Sequence, residues 1–319
     1  MIQTSSNPDT ACPQLRQPAQ WKEWIFSRYG FRTFQPEDGP LVDRYSQTSV
    51  FFDLSFTNFW AWDKVFHYTY RLIDDALAMV YITLDQVPAA IVMPGPSRRI
   101  DGAVDLLTEL FGALGQPLQI EYVPEEWLPL YHQLNRPMEL FSDRDWSDYV
   151  YNVSDFLNLE GGENRGKRRE LKQFADRGAV EFRPLNEETF DEALTVFQRW
   201  CDWHNCTDCY YGCEQRAFAR LRKLWNRREY YGGIVHLDGE QVAFALGETL
   251  GNCACYSFQK NVENFRGLTY YLSYHCAQLP GHPPKLNWCE DMGLEGLRVN
   301  KLRYRPSELV SKYTVILEI

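Results

Sequence analysis

No run of apolar residues in this chain approaches the roughly 20 that a membrane-spanning helix needs. The longest candidate, Ala76 to Leu84, has the length of a strand. Met1 to Leu15 lacks the apolar core of a secretory signal. The chain is therefore expected to be cytoplasmic, with no integral membrane segment. Positive charge is not in excess either. There are 33 Lys and Arg against 43 Asp and Glu, a net charge of −10. That balance argues against wholesale nucleic-acid binding and leaves room only for a local basic groove. Nine cysteines, an odd number without a secretion signal, do not form a disulfide framework and point to reduced thiols. No repeat is visible residue by residue. What is present is a chain of 319 residues, 45% hydrophobic and 15% aromatic, long enough for two domains with substantial cores.

Met1 to Pro18, rich in Ser, Pro and Gln, reads as a mobile tail, with residues 19–147 and 148–319 as two successive domains. In the first, Ala19–Tyr29 reads as a short helix. The aromatic-dense Asp53–Trp62 reads as core packing. Strands follow at Phe66–Leu72, Ala76–Thr83 and Ala89–Met93. A helix at Ile100–Leu114 carries Val104, Leu107, Leu110 and Phe111 on one face. Then come a strand at Leu118–Tyr122, a helix at Glu125–Leu134 and a strand at Met138–Phe141. The second half runs in a similar order. A connecting strand at Asp148–Val153 leads to helices at Glu163–Arg177, Asn186–His204 and Glu214–Arg228. Strands Gly233–Leu237 and Gln241–Gly247 are joined by Asp238-Gly239, a tight-hairpin signal. A strand at Cys253–Phe258, a helix at Leu268–Gln278, a strand at Lys285–Trp288, a helix at Leu294–Leu302 and a last strand at Leu309–Leu317 complete it. The spacing predicts an architectural duplication.

The stretch Asn252–Gln278 carries the most chemistry. A buried strand runs into a loop with Arg266 and Gly267, and the loop opens a helix at Leu268. The first amides of a helix lack internal partners and the dipole is positive there. A glycine lets a phosphate come close, so the arrangement suits anion capture. A plain strand-to-helix connection is the alternative. The helix at Glu163–Arg177 begins with Arg165, Lys167, Arg168 and Arg169, followed by Lys172. Cations in a first turn oppose the dipole, a cost that suggests pairing with an anionic ligand. A solvated charged face explains the pattern as well.

The order of elements and the Arg266-Gly267 loop resemble the GNAT acyltransferase fold. Three segments point further: Leu54–Trp62; Tyr151–Phe156 with Gly166–Phe174; and Asn287–Arg298 with Lys301, Tyr304 and Pro306. Together they resemble the family built on the C-terminal domain of phosphatidylglycerol lysyltransferase. The Lys-Arg helix is also similar to that of the Fem-type peptidyltransferases, which use aminoacyl-tRNA. The resemblance implies an α+β or α/β chain of two tandem GNAT-like domains, each a mixed twisted sheet flanked by helices. It implies an acyl or aminoacyl transferase acting on a small-molecule, lipid-headgroup or peptide nucleophile. The donor is aminoacyl-tRNA or an acyl-CoA, with no tightly bound cofactor. An acyl-CoA-dependent N-acetyltransferase and a non-catalytic module binding an anion or a partner are the alternatives.

Transfer from an activated ester needs a positioned nucleophile, a base and donors facing the oxyanion. Glu290 or Asp291 is the expected base, with helix capping as the other reading, and Lys301 the expected charge neutraliser. The backbone at Ser257 and Phe258 would orient the donor carbonyl, while Arg266, Gly267, Leu268 and Arg298 would hold its phosphates. Lys167, Arg168 and Lys172 would receive an acceptor-stem or substrate phosphate. His204, Cys206, Cys209 and Cys213 have ligand chemistry for zinc. All four sit in one short loop, however, and thiols packed between two helices account for them without a metal.

Overall fold

The computed structural model describes residues 18–206, 213–262 and 265–318; the expected tail lies outside them except for Pro18. In chain order the elements are helices α1 (Pro18–Tyr29), α2 (Gly39–Ser46) and α3 (Phe56–Phe66), then strands β1 (Thr69–Ile73), β2 (Ala76–Ile82) and β3 (Pro88–Pro94). Helix α4 (Asp101–Leu114), β4 (Leu118–Val123), α5 (Leu128–His132), β5 (Met138–Ser142) and β6 (Asp148–Asn152) follow. Next come α6 (Ser154–Leu157), α7 (Arg165–Ala175), β7 (Val180–Pro184), α8 (Phe190–Trp203) and α9 (Glu214–Arg220). The last stretch holds β8 (Tyr230–Leu237), β9 (Glu240–Leu250), β10 (Cys253–Asn261), α10 (Leu268–Cys276), β11 (Lys285–Asn287), α11 (Glu295–Arg303), β12 (Glu308–Val310) and β13 (Tyr313–Leu317).

The described residues fall into two compact units: 18–38, 62–142 and 313–318, and those within 39–61 and 143–312. A single cut at 147/148 therefore gives way to an exchange. The first unit holds a six-stranded sheet in the order β1-β2-β3-β4-β13-β5, in which the chain's last strand is the fifth member. The second holds a seven-stranded sheet, β12-β6-β11-β10-β9-β8-β7. Each sheet is antiparallel apart from one parallel pair, β3 with β4 and β10 with β11. In each, three antiparallel strands lead through a helix, α4 or α10, to a parallel fourth strand, so the duplication is architectural as expected.

Local chemistry explains most elements. Ala103, Val104, Leu107, Leu110 and Phe111 bury one face of α4, and Gly115 ends it in the left-handed conformation. The hairpin β8–β9 turns at Asp238 (φ 51°) and Gly239 (φ 85°), the two left-handed residues of a type I′ turn. Strand β2 is apolar and buried throughout, as a strand covered on both faces must be.

Three elements differ from expectation. The stretch 309–317 is two strands in different sheets, β12 and β13, parted by a buried lysine that a sheet ladder could not accommodate unpaired. Strand β7, whose residues are exposed or half-buried, carries too weak an apolar alternation to be read as a strand. The helix at 214–228 tightens into a 3₁₀ segment from Leu221 to Arg227.

Candidate functional site

Strands β10 and β11 pair over only three residues each, Cys253–Cys255 against Lys285–Asn287. Beyond that point β10 continues to Asn261 against β9, while the chain after β11 turns away. The β9–β10 ladder slips between Tyr256 and Phe258, so Ser257 is a bulge residue. A bulge leaves its residue out of the ladder and re-aims it. The Ser257 hydroxyl is buried without a partner. In the second unit β10 and β11 therefore part company after Cys255 and Asn287, next to Ser257 and Phe258, the residues expected to orient a donor carbonyl.

The turn 288–293 follows β11 directly. Cys289 (φ 53°), Met292 (φ 53°) and Gly293 (φ 71°) are all left-handed. For non-glycine residues this costs of order 1–3 kcal/mol each and persists only where the surroundings enforce it. Here they do. The Lys301 ammonium donates to the carbonyls of Trp288, Cys289 and Glu290. Asp291, 0% exposed, accepts from Arg144 Nη1 at 2.9 Å, Arg298 Nε at 3.1 Å and Nη2 at 3.0 Å. It also accepts from the Gly293 amide at 3.0 Å and from the Tyr149 hydroxyl. Burial alone would raise this carboxyl. The hydrogen bonds from Arg298, Tyr149 and Arg144 outweigh it and hold the group well below the usual carboxylate range.

This geometry redefines four expected residues. Asp291 is a buried clamp with its lone pairs engaged, poorly suited to take a proton near neutrality. Lys301 is spent on backbone carbonyls, and Arg298 on Asp291 and Asp145 instead of a donor phosphate. Glu290 meets Lys312 at 2.9 Å. Burial would raise it, but the Lys312 ammonium pulls it down to about 2, so it too is a weak base.

Lys312, 4% exposed, anchors this turn through Glu290. Its ammonium lies 2.5 Å from Asp53, 2.9 Å from Asp148 and 2.9 Å from Glu290. The three carboxylates are within 4.8 Å of one another, and a cation occupies the space they share: the lysine itself. Asn287 donates at 2.8 Å to Asp148 and at 2.8 Å to the Val50 carbonyl. Lys312, Asp53, Asp148, Arg144 and Tyr149 were not indicated by sequence spacing, because their partners come from remote segments.

The Arg266-Gly267 loop is not the open cradle the sequence suggested. Gly267 is left-handed (φ 91°), and a Cβ there would lie 2.2 Å from the Glu170 carbonyl oxygen. The glycine admits the backbone of α7 and leaves no room for a phosphate at that position. Arg266 pairs with Glu170 at 3.1 Å, and Arg303 binds the same carboxylate oxygen. Because Arg266 is more than half exposed, Arg266→Ala should cost under about 1 kcal/mol in a urea melt.

Two groups of cysteines lie in the second unit. Cys255 and Cys289 thiols lie 3.7 Å apart, where the β10–β11 pairing ends. The Cys289 hydrogen bond and burial raise Cys255 far above its ordinary value. The Cys255 contact works to lower Cys289, and burial outweighs it, so Cys289 is raised as well. Neither is poised as a thiolate nucleophile. In the other group Cys201 is pushed up to about 11 by burial and by Cys206 and Cys213. His204 stacks on Trp200 at 4.1 Å with Nδ1 2.9 Å from its carbonyl. Cys209 lies outside the described residues.

The sequence pattern of phosphatidylglycerol lysyltransferase C-terminal domains matches residues 48–316. The chain belongs to this family. No curated protein matches the sequence. A conserved protein of unknown function from Bacteroides thetaiotaomicron is similar in structure, with TM-score 0.81 and 24% identity over 90% of this chain and 99% of that one. L-PGS from Bacillus licheniformis gives 0.64 and 14%, covering 90% and 93%. FemX gives 0.56 and 9%, covering 89% and 96%. The GNAT-like, Fem-type fold is thus shared with L-PGS and FemX. No described helix is long and apolar enough to cross a membrane.

Within this family fold, α7 presents the basic surface. Arg165, Arg168, Arg169 and Lys172 are exposed along it. Lys167 is half-buried, and burial together with Arg305 lowers its pKa. Arg168 also bonds the carbonyls of Leu159 and Gly161 across an open depression of about 570 Å³ at the start of the helix.

Proposed function

We propose that this protein transfers an aminoacyl group from aminoacyl-tRNA to an amine or hydroxyl acceptor, where β10 and β11 part. The observation that carries the choice of donor is the filling of the Gly267 loop by the α7 backbone, which disfavours a coenzyme A pyrophosphate there. On the same helix, Arg165, Arg169 and Lys172 point to phosphate contacts on a chain whose net charge is −10. The ester of an aminoacyl-tRNA is already activated, so positioning and oxyanion stabilisation carry the reaction. The nucleophile attacks the ester carbonyl, the acyl–oxygen bond breaks as the tetrahedral intermediate collapses, and the nucleophile's proton passes to the departing 3′-terminal ribose oxygen, which leaves as a hydroxyl. The Ser257 bulge supports orientation of that carbonyl. Raised thiols at Cys255 and Cys289 favour direct transfer over a cysteine-bound intermediate.

Filter binding of radiolabelled aminoacyl-tRNA tests this reading. About four phosphate contacts predict an affinity loss of roughly 50-fold for a fourfold rise in salt, and Arg169→Glu/Lys172→Glu should flatten that slope. Salt-independent binding, or none, would exclude the tRNA donor. Coenzyme A should leave the melting temperature unchanged, whereas a bound donor at a hundredfold excess over Kd would stabilise by about 2.7 kcal/mol. Such stabilisation would move the assignment to an acyl-CoA.

A further inference from the structure

The first unit holds a cavity of about 270 Å³ between α1 and the start of β1. A bridge ties the segment after α1 to the sheet. The Arg32 amide donates to the Tyr70 carbonyl at 2.9 Å, and the Tyr70 amide donates to the Arg32 carbonyl at 2.8 Å. That bridge fixes Phe31 and Arg32 beside Thr69, the first residue of β1. Phe31 and Thr69 are the buried part of the cavity lining, 0% and 1% exposed. Helix α1 supplies Lys22, Glu23 and Phe26. Phe26 lies three residues past Glu23 and four past Lys22, the spacings that bring helix side chains together. It is 62% exposed, so the cavity has an apolar ring at its mouth as well as one at its base.

The charges around this cavity are not equivalent. Lys22 is already bound to Asp63 at 2.9 Å. Glu23 is exposed and forms no ion pair among the described residues. Arg32, with its side chain 60% exposed, reaches Asp38 only at 3.9 Å, and its guanidinium lies over the Tyr70 ring, 4.8 Å from the centroid. Arg32 and Glu23 thus present opposite charges to one small cavity without neutralising each other. A ligand with a single charge would meet one of them as a like charge. An uncharged apolar ligand would have no polar group to orient it. A zwitterion with an apolar side chain matches every feature. Its carboxylate suits the planar fork of Arg32, its ammonium suits Glu23, and its side chain fits between Phe26 and Phe31. Pockets for drug-sized ligands run to about 300–1,000 Å³, so this cavity takes something smaller, about one residue in size.

We propose that this cavity binds a free α-amino acid with an apolar side chain. The site stands independently of the transfer reaction, and its test needs no tRNA. The full chain is titrated calorimetrically with L-leucine and L-phenylalanine, and with N-acetyl-L-leucine and L-leucinamide as singly charged comparisons. One of the two amino acids should bind with a Kd of about 1 mM or tighter, and each comparison compound at least roughly tenfold more weakly. Glu23→Gln and Arg32→Gln should each weaken amino-acid binding roughly tenfold with an unchanged melting curve. If Arg32→Gln melts early through loss of its contact with Tyr70, Glu23→Gln decides alone. Absence of binding by both amino acids, or equal binding by the singly charged compounds, overturns the proposal. So does binding that survives Glu23→Gln undiminished, which would place the amino acid elsewhere on the protein.

Discussion

Replacing Lys312 by methionine should lower stability by about 3–5 kcal/mol, because it leaves three carboxylates in a buried space with no cation. Burial lowers the lysine's own pKa, and Asp148, Asp53 and Glu290 overcome that and raise it well above its ordinary value. The loss should depend on pH in a defined sense. Burial raises Asp148 to about 7 and also raises Asp53, each against the pull of Lys312. Between the unfolded carboxylate value of about 4 and that raised value, the folded state binds protons that the unfolded state does not. These two groups therefore make stability fall as pH rises through that window. Glu290 has the opposite sign. Held down to about 2, its contribution is present above its unfolded value and is lost as pH falls through about 2. Without the ammonium all three carboxyls shift upward, and protonation at low pH relieves their repulsion. Urea melts of wild type and Lys312→Met should thus differ more at about pH 8 than at about pH 5. A gap under about 1 kcal/mol at both would mean that the cage contributes little net stability.

Sequence carried the architecture where local chemistry decides it. The Asp238-Gly239 pair announced its hairpin, and the spacing of Val104, Leu107, Leu110 and Phe111 announced α4, because period and turn conformation are properties of neighbouring residues. The segment 287–301 was visible as chemically dense for the same reason. Its roles were not visible. Asp291 looks the same in sequence whether it faces a substrate or five donors, and those donors include Arg144 and Tyr149 from a distant stretch. The Lys312 cage draws Asp53 from before α3, Asp148 from β6 and Glu290 from after β11. Nothing short of tertiary structure brings them together. The apolar stretch 309–317 read as one strand because β propensity does not register a change of sheet.

Substituting Gly267 by alanine should destabilise the protein by about 3 kcal/mol or more, the sum of left-handed strain and overpacking. The sequence allowed two meanings for this glycine: space for a phosphate, or space for another part of the chain. They predict opposite results. At φ 91° a Cβ would lie 2.2 Å from the Glu170 carbonyl oxygen and 2.8 Å from its carbon, and neither atom can swing aside as a side-chain tip would. Helix α7 must therefore retreat from α10, loosening the contacts of Phe174 with Tyr271 and Phe265. The melting temperature should drop by roughly 5–10 °C. Gly296→Ala is the matched control. It sits in exposed α11 with nothing within 4 Å of a new Cβ, and should gain about 0.5–1 kcal/mol from helix propensity. A Gly267→Ala protein that melts with the wild type but loses donor binding would restore the phosphate reading of this loop. A melting curve that collapses while salt-dependent tRNA binding survives at low temperature would assign the glycine to helix packing and leave the donor surface on α7.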